Sequence, residues 1–197
     1  MTEVKESGGE AEKRRGRGAG FSLSLVALFA ALTAAGAFIA IPLPFSPVPV
    51  VLQNLFALLA GLVLGPRLGS AAVGLYLAAG IAGAPVFAGA AGGIVRILGP
   101  TGGFLLGYLL SAFTAGLIAG PPRTEALPRR RLILAVLAGL LVVYAPGLIR
   151  LRFALGSWGK ALGAGFIPFI LGDGVKGFIA VLIAPRLRRV LGDRMGA

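Results

Sequence analysis

The sequence predicts an all-α integral membrane protein, a bundle of six transmembrane helices. Two observations predict this class. First, 57% of the 197 residues are hydrophobic and only 13% are charged, with a mean hydropathy of +0.92, whereas charged residues make up about a quarter of a soluble domain. Second, the hydrophobic residues fall into runs that approach the length a helix needs to cross a bilayer core about 30 Å thick.

Prolines and charged residues separate six apolar runs, which cover residues 21–41, 51–64, 69–84, 103–119, 132–148 and 166–184. The second run is too short to cross a bilayer alone. Most prolines lie between the runs, where the missing N–H disturbs a helix least. Pro146 and Pro168 lie inside or at the edge of a run, so we expect the fifth and sixth helices to kink or begin late.

The two ends of the chain are polar and basic. Residues 1–20 cannot bury enough apolar surface to offset the entropy of ordering, which predicts a disordered basic cytoplasmic arm. Residues 186–197 predict a basic cytoplasmic tail. The six-helix transmembrane domain is therefore expected to cover residues 21–185.

Basic residues in short loops favour the cytoplasmic side of a membrane. A cytoplasmic N-terminus places 14 of the 19 Lys and Arg residues inside and four outside, with Lys176 within the sixth run. Both termini are therefore predicted to be cytoplasmic. The net charge of +12 follows mostly from this topology and attracts the lipid bilayer, so no nucleic-acid partner is predicted.

The composition also excludes much chemistry. The chain has no Cys and no His, so it has no disulfide, no imidazole or thiolate metal ligand and no His general base. No Gly-Lys-Ser/Thr ending of a P-loop occurs, and no internal repeat of the kind found in many secondary transporters is visible. We therefore expect no enzyme activity, no cofactor, no metal and no ATP hydrolysis by this chain itself.

Asp173 and Lys176 are the ionisable residues that lie inside the apolar runs. Each costs about 2.5–3.5 kcal/mol at the centre of a membrane helix, so such residues usually have a function. Three residues apart, they share one face of a helix and can contact a common partner. The alternative is a structural ion pair, or a lysine that reaches towards a nearby membrane surface.

The loop over residues 85–102 is the second candidate region. Arg96 lies on the predicted outer side, where basic residues are less common. Its guanidinium fits a carboxylate, although Arg96 could equally be a solvated loop residue. Around it, Gly99 and Thr101 belong to a glycine-rich stretch that ends at Gly103. Such a stretch can bring backbone N–H groups close to a ligand and seal it from water.

Small residues at four-residue spacing line the first run. Ala27, Ala31 and Ala35 form one such stripe, and Ala30 and Ala34 form another. In lipid, such faces let helices approach each other closely, but alanine-rich helices also produce the spacing by chance. At the start of the second run, Gln53 and Asn54 could either cap the helix or face a cavity.

Several motifs together resemble one known family. They comprise residues 48–53 (VPVVLQ), residues 64–69 (LGPRLG), Tyr76 with Gly80, Gly83, Pro85, Val86 and Phe87, residues 99–103 (GPTGG), and Pro168-Phe169 followed by Asp173 and Lys176. Over about residues 27–176 the chain resembles the BioY family, the biotin-binding S components of energy-coupling-factor (ECF) transporters.

The resemblance implies a six-helix bundle of the ECF S-component type with both termini cytoplasmic, in the cytoplasmic membrane of a prokaryote. It implies that residues 21–185 bind biotin near the outer surface, and that Asp173 and Lys176 are the Asp-x-x-Lys signature of the site. The stripe of Ala27, Ala31 and Ala35 is similar to the motif that docks S components on a transmembrane coupling subunit. Two ATP-binding-cassette (ABC) ATPase subunits would supply the energy.

Biotin then assigns an expected role to each candidate residue. Asp173 would accept from a ureido N–H, and Lys176 would donate to the ureido carbonyl or to the carboxylate. Arg96, with the loop at Gly99 and Thr101, would hold the valerate tail, while Phe87 and Phe169 would form apolar walls. The alternatives are an S component for another vitamin, or a membrane scaffold in which Asp173 and Lys176 form a structural ion pair.

Overall fold

The computed structural model describes the backbone of residues 2–122 and 127–195, and the side chains of residues 18–122 and 127–194. The elements are α1 (Thr2–Phe38), β1 (Ala40–Leu43), β2 (Ser46–Val51), α2 (Gln53–Ile81), α3 (Ile94–Leu98), α4 (Gly102–Ala119), α5 (Arg129–Leu155), α6 (Trp158–Gly165), a 3₁₀ turn (Ile167–Phe169) and α7 (Ile170–Met195). Within these residues, five helical stretches are long and apolar enough to cross a membrane. The chain is a mostly helical, multi-pass membrane protein.

The first helix begins earlier than the sequence predicts. Where a disordered arm was expected over residues 1–20, the structure continues α1 back to Thr2. The apolar part of α1, Gly18–Phe38, is the candidate membrane span. Once such a span has formed, each further residue that is fixed adds one hydrogen bond, and Ala, Glu, Lys and Arg favour that extension.

The all-α prediction is wrong in one place, because an antiparallel hairpin of β1 and β2 joins α1 to α2. Prolines at positions 42, 47 and 49 interrupt its ladder, and the register shifts between Ile41 and Leu43. A two-stranded hairpin tolerates these prolines because each strand has a free edge. The Ser46 hydroxyl fixes the hairpin to α6 by donating to the Ala164 carbonyl at 2.6 Å.

Helix α2 reverses direction at Gly65, which has a φ of 81° that glycine adopts readily. A Cβ added to Gly69 would lie 2.7 Å from the Ala60 carbonyl oxygen, although nine residues of straight helix span about 13 Å. The two arms of α2, residues 53–64 and 66–81, therefore run antiparallel. The reversal falls between the second and third apolar runs, as their separation predicts.

Small residues bring the central helices into close contact. A Cβ on Gly61 would lie 2.1 Å from the carbonyl oxygen of Ala112 in α4, and one on Gly107 would lie 2.7 Å from that of Val143 in α5. Helices in lipid associate through such packing because no hydrophobic force drives them together. The first arm of α2, α4 and α5 thus form the centre of the bundle.

The bundle has two distinct ends. At one, Gly65 lies beside Pro121, which follows α4, and α5 begins nearby with Arg131 donating to the Ile118 carbonyl. We call this the basic end, because α5 begins here with residues 129–131 and α7 finishes here with residues 186–194. The opposite hairpin end holds the β-hairpin, α3 and α6. Arg123 and the basic side chains before residue 18, all counted on the cytoplasmic side, lie outside the described residues.

Arg188 does not lie in an exposed basic tail, as was predicted for residues 186–197, but is buried in the bundle. Arg188 is only 5% exposed. Its guanidinium donates to the Leu62 carbonyl in α2, to the Ala119 and Gly120 carbonyls at 3.1 Å each, and to the Pro121 carbonyl at 2.7 Å. The Leu62 and Ala119 carbonyls lie in the last turns of helices, which carry partial negative charge. Arg188 therefore joins α7 to α2 and α4, and α7 continues to Met195.

The two prolines of the later runs behave differently. α5 passes through Pro146 as one helix and extends beyond the predicted run on both sides, so Arg150 and Arg152 lie on this helix. Pro168 instead lies in the 3₁₀ turn that precedes α7. The expected late start of the last helix is thereby confirmed, at Ile170.

Candidate ligand-binding site

Asp173 and Lys176 lie on the first turns of α7 with their side chains directed into the bundle. They are 8% and 5% exposed, and the Lys176 Nζ atom is 3.0 Å from Asp173 Oδ1. Among the described residues this is the one ion pair found. The opposite charges therefore compensate each other where water is scarce.

Two further helices contribute donors to the Asp173 carboxylate. The Asn54 Nδ2 atom, at the start of α2, donates to Oδ1 at 2.8 Å, and the Tyr144 hydroxyl of α5 donates to Oδ2. Hydrogen bonds to an ionised carboxylate are stronger than those between neutral groups. Asp173 is thus held in one orientation by three helices.

This ion pair borders a cavity. The Asp173 cavity has about 310 Å³ of empty space. It lies between the hairpin and helices α2, α4, α5 and α7. Its lining residues are Val48, Pro49, Val51, Asn54, Phe104, Tyr108, Val143, Tyr144, Phe169, Asp173 and Lys176. Asp173 and Lys176 therefore contact each other and also line this cavity.

A second cavity adjoins the first towards the hairpin end. The Arg96 cavity has about 490 Å³ of empty space and shares Val48, Pro49, Val51, Phe104 and Tyr108 with the Asp173 cavity. Its other lining residues are Pro47, Gln53, Phe87, Ala88, Arg96, Thr101 and Leu105. The two cavities therefore adjoin each other along the five shared residues.

A third space continues from the Arg96 cavity. It lies between the hairpin and the loop after α2, is open to solvent, and shares Pro47, Pro49, Ala88 and Arg96 with the Arg96 cavity. Both of its walls belong to connecting segments rather than to long helices. The site is thus bordered on this side by the hairpin and the loop.

Six of the seven predicted ligand residues line the two adjoining cavities. Asp173, Lys176 and Phe169 face the Asp173 cavity, and Arg96, Thr101 and Phe87 line the Arg96 cavity. Gly99 lines neither of these two cavities. Its carbonyl oxygen instead accepts from the backbone N–H of Gly102 at 3.1 Å and from Arg150 Nε at 3.3 Å.

Arg150 forms a contact with this loop that the sequence did not predict. From α5 it donates to the carbonyls of Leu98 and Gly99, at the end of α3. Two bonds from one planar guanidinium fix both distance and orientation. Arg150 therefore ties the loop that carries Arg96 to the helix bundle.

The two polar residues at the start of α2 both face the cavities. Gln53 lines the Arg96 cavity, and its Nε2 atom donates to the Tyr76 hydroxyl in the second arm of α2. Asn54 lines the Asp173 cavity. Neither forms a side-chain cap, since α2 has no side-chain hydrogen bond at its N-cap. The question that the sequence left open is answered in favour of the cavity.

The two alanine stripes of α1 face in different directions. Ala27, Ala31 and Ala35 are all exposed on the outside of the bundle, whereas Ala30 is buried and Ala34 is partly buried. The four-residue spacing keeps each stripe on one face of the helix. The first stripe therefore forms a flat outer surface of small residues.

Comparison with known proteins gives concordant matches. Residues 13–193 match the BioY family. The chain is 46% identical over 166 residues to the probable biotin transporter BioY of Pyrococcus horikoshii, a match that covers 84% of this chain and 95% of that protein. It is 41% identical over 167 residues to the biotin transporter BioY of Thermotoga maritima, covering 85% and 95%.

A solved structure has a similar fold. It is the crystal structure of the S-component for biotin from an ECF-type ABC transporter, with a TM-score of 0.76 and 33% identity. The match covers 85% of this chain and 90% of that one. Because the family match and these relatives extend over most of both chains, the chain belongs to the BioY family.

Proposed function

We propose that this chain binds biotin with high affinity and takes it up across the cytoplasmic membrane of a prokaryote, as the S component of an ECF-type ABC transporter. Relatives over most of its length are named biotin transporters, and a similar structure is an S-component for biotin. A family of transport proteins also agrees with the prediction that the chain is not an enzyme.

The observation that carries this proposal is the distribution of polar groups in the adjoining cavities. Asp173, Lys176 and Asn54 face one cavity, and Arg96 and Thr101 face the other. Four apolar residues and Tyr108 line the shared part. Biotin has the matching order of groups: a ureido ring, an apolar bicyclic body and a carboxylate at the end of the tail. A site that pairs each polar group of its ligand strongly rejects analogues that lack one.

The ureido ring is accordingly placed in the Asp173 cavity. Lys176 uses one N–H on Asp173, so two of its three donors are available for the ureido carbonyl. Asp173 holds three donors and can accept about one more. Phe169 forms a wall beside the ring, and Phe87 forms a wall of the Arg96 cavity, where Arg96 and Thr101 hold the carboxylate.

The arrangement of the helices supports a topology of six membrane segments. Counting the two arms of α2 separately raises the five apolar stretches to six. α1 finishes at the hairpin end and α7 finishes at the basic end, so both termini belong to the basic end. Positive charge favours the cytoplasm, which places the basic end inside and the biotin site near the outer surface.

Thermal shift of the detergent-solubilised protein tests the substrate. Biotin at about 100 times its Kd should stabilise the fold by about 2.7 kcal/mol, or raise the apparent Tm by about 5–10 °C, while other vitamins at the same concentration leave it unchanged. A larger shift with another vitamin would replace biotin as the substrate. No shift with any vitamin would instead support a scaffold with a structural ion pair.

Uptake needs an external source of energy, since the chain lacks a P-loop. In the proposed complex, a transmembrane coupling subunit contacts the exposed stripe of Ala27, Ala31 and Ala35, and two ABC ATPase subunits supply the energy. Small residues on an outer helix face permit close contact with another membrane helix. ATP-driven movement of the complex would then release the tightly bound biotin.

A bulky residue in this stripe should separate assembly from binding. We expect Ala31→Trp to reduce co-purification with the coupling subunit and ATPases at least about tenfold, because the side chain prevents close helix contact. Biotin affinity should stay within about twofold of wild type, since the stripe faces away from the cavities. Leu141→Trp, at an exposed position on α5 and therefore away from the stripe, is the control. Equal assembly of both variants would rule out this docking surface.

A further inference from the structure

Asn54 presents an unsatisfied acceptor to the Asp173 cavity. It is 7% exposed and lines that cavity. Its Nδ2 atom donates to Asp173 Oδ1 at 2.8 Å, which fixes the orientation of the amide, because the flipped amide would place two acceptors against each other. In the part of the chain that the structure describes, no donor reaches the Asn54 Oδ1 atom.

Such an acceptor needs an explanation. Buried side-chain oxygen atoms are nearly always hydrogen-bonded, and one without a partner destabilises the protein. The effect is larger inside a membrane domain, where water is scarce. A ligand N–H that reaches Asn54 Oδ1 would remove this cost on binding and would add to the affinity.

The neighbouring groups define the ligand chemistry that fits. Asp173 already accepts from Asn54, Lys176 and Tyr144, whereas Lys176 has N–H groups left to donate. The cavity thus offers a neutral acceptor beside an ammonium donor. A ligand edge that carries an N–H next to a carbonyl complements this pattern, and a cyclic urea has such an edge.

We propose that Asn54 is a specificity-determining residue whose side-chain carbonyl accepts a hydrogen bond from a ureido N–H of the ligand. The inference rests on the proposed function, since it takes biotin as the ligand. The Asn54 amide then has two roles. Its N–H orients the Asp173 carboxylate, and its carbonyl recognises the ligand by accepting a hydrogen bond. An analogue without an N–H at that position leaves the carbonyl unsatisfied and is therefore rejected.

The test combines a substitution at Asn54 with a change in the ligand. Titration calorimetry would compare wild type and Asn54→Leu, a variant of similar volume without an acceptor, against biotin and against biotin methylated at either ureido nitrogen. We expect Asn54→Leu to weaken biotin binding by about 10- to 100-fold. The loss should be at least about tenfold smaller for the analogue methylated at the nitrogen that contacts Asn54.

A matched control separates recognition of the ligand from the orientation of Asp173. Tyr144→Phe removes another donor to Asp173 and leaves the Asn54 carbonyl in place, so it should weaken all three ligands by the same factor. If Asn54→Leu does the same, Asn54 serves only to orient Asp173 and the proposal is overturned. Asn54→Met gives the comparison again should the leucine variant not fold. A wild-type protein that does not bind biotin would overturn the proposed function itself and this inference with it.

Discussion

Replacing Asp173 with alanine is expected to weaken biotin binding by about 30- to 5000-fold, or about 2–5 kcal/mol. The substitution leaves the Lys176 ammonium without its 3.0 Å partner and removes the acceptor that Asn54 and Tyr144 share. Three donors then face the cavity unpaired, and an isolated charge in such a place is strongly unfavourable. Titration calorimetry of the purified variant measures the loss.

The same helix offers a matched control. Asp193 is also an acidic residue of α7, but it is exposed near the basic end, so Asp193→Asn should leave biotin affinity unchanged. Lys176→Met should also weaken binding, and the double variant Asp173→Ala/Lys176→Met should lose less than the sum of the single losses, because the two residues interact directly. Near wild-type affinity in both single variants would remove Asp173 and Lys176 from the site.

Replacing Arg188 with alanine is expected to destabilise the fold by about 3 kcal/mol or more, because each hydrogen bond from a charged donor contributes about 1.5–3 kcal/mol. Four carbonyls lose their donor: one in α2, one in the last residue of α4 and two in the residues that follow α4. For a chain of this size the apparent Tm should fall by about 6–12 °C. A thermal melt in detergent followed by light scattering or intrinsic fluorescence measures this shift.

Two further variants separate charge from geometry. Arg189→Ala removes the exposed neighbour of Arg188 and should change the Tm little. Arg188→Lys keeps the charge but lacks the planar guanidinium that reaches four carbonyls. It should therefore destabilise the fold nearly as much as alanine. Below the melting temperature, biotin affinity of the Arg188 variants should stay close to wild type, since Arg188 lies about 18 Å along α7 from Lys176. A wild-type Tm for Arg188→Ala would contradict the assigned role.

The helices were predictable from the sequence, but the hairpin was not. The apolar runs are long, and a chain in lipid must satisfy its own backbone, so each run indicates a helix. The segment over residues 40–51 contains four prolines, which indicated only a break between helices. Its two strands depend on tertiary contacts, such as the bond from Ser46 to Ala164, and no local pattern indicates them.

The candidate site was predictable where a charge stood out against apolar surroundings. Asp173 and Lys176 did so within the sixth run, and the structure places both at a cavity. Tyr108 and Tyr144 did not, because an aromatic residue in a membrane helix usually belongs to the core. Arg188 was missed for the opposite reason: a basic residue after the last apolar run is expected at the cytoplasmic surface. Only its contacts reveal that it is buried.

The reversal at Gly65 also sets the length of the first arm of α2. Measured from that turn, the first arm of α2 covers residues 53–64, which is about 18 Å of helix, while the hydrocarbon layer is about 30 Å thick. The first arm of α2 is therefore shorter than a helix that crosses a bilayer core alone. The β-hairpin precedes this arm, and its residues Val48, Pro49 and Val51 line both cavities, so the cavities lie where one helix stops short.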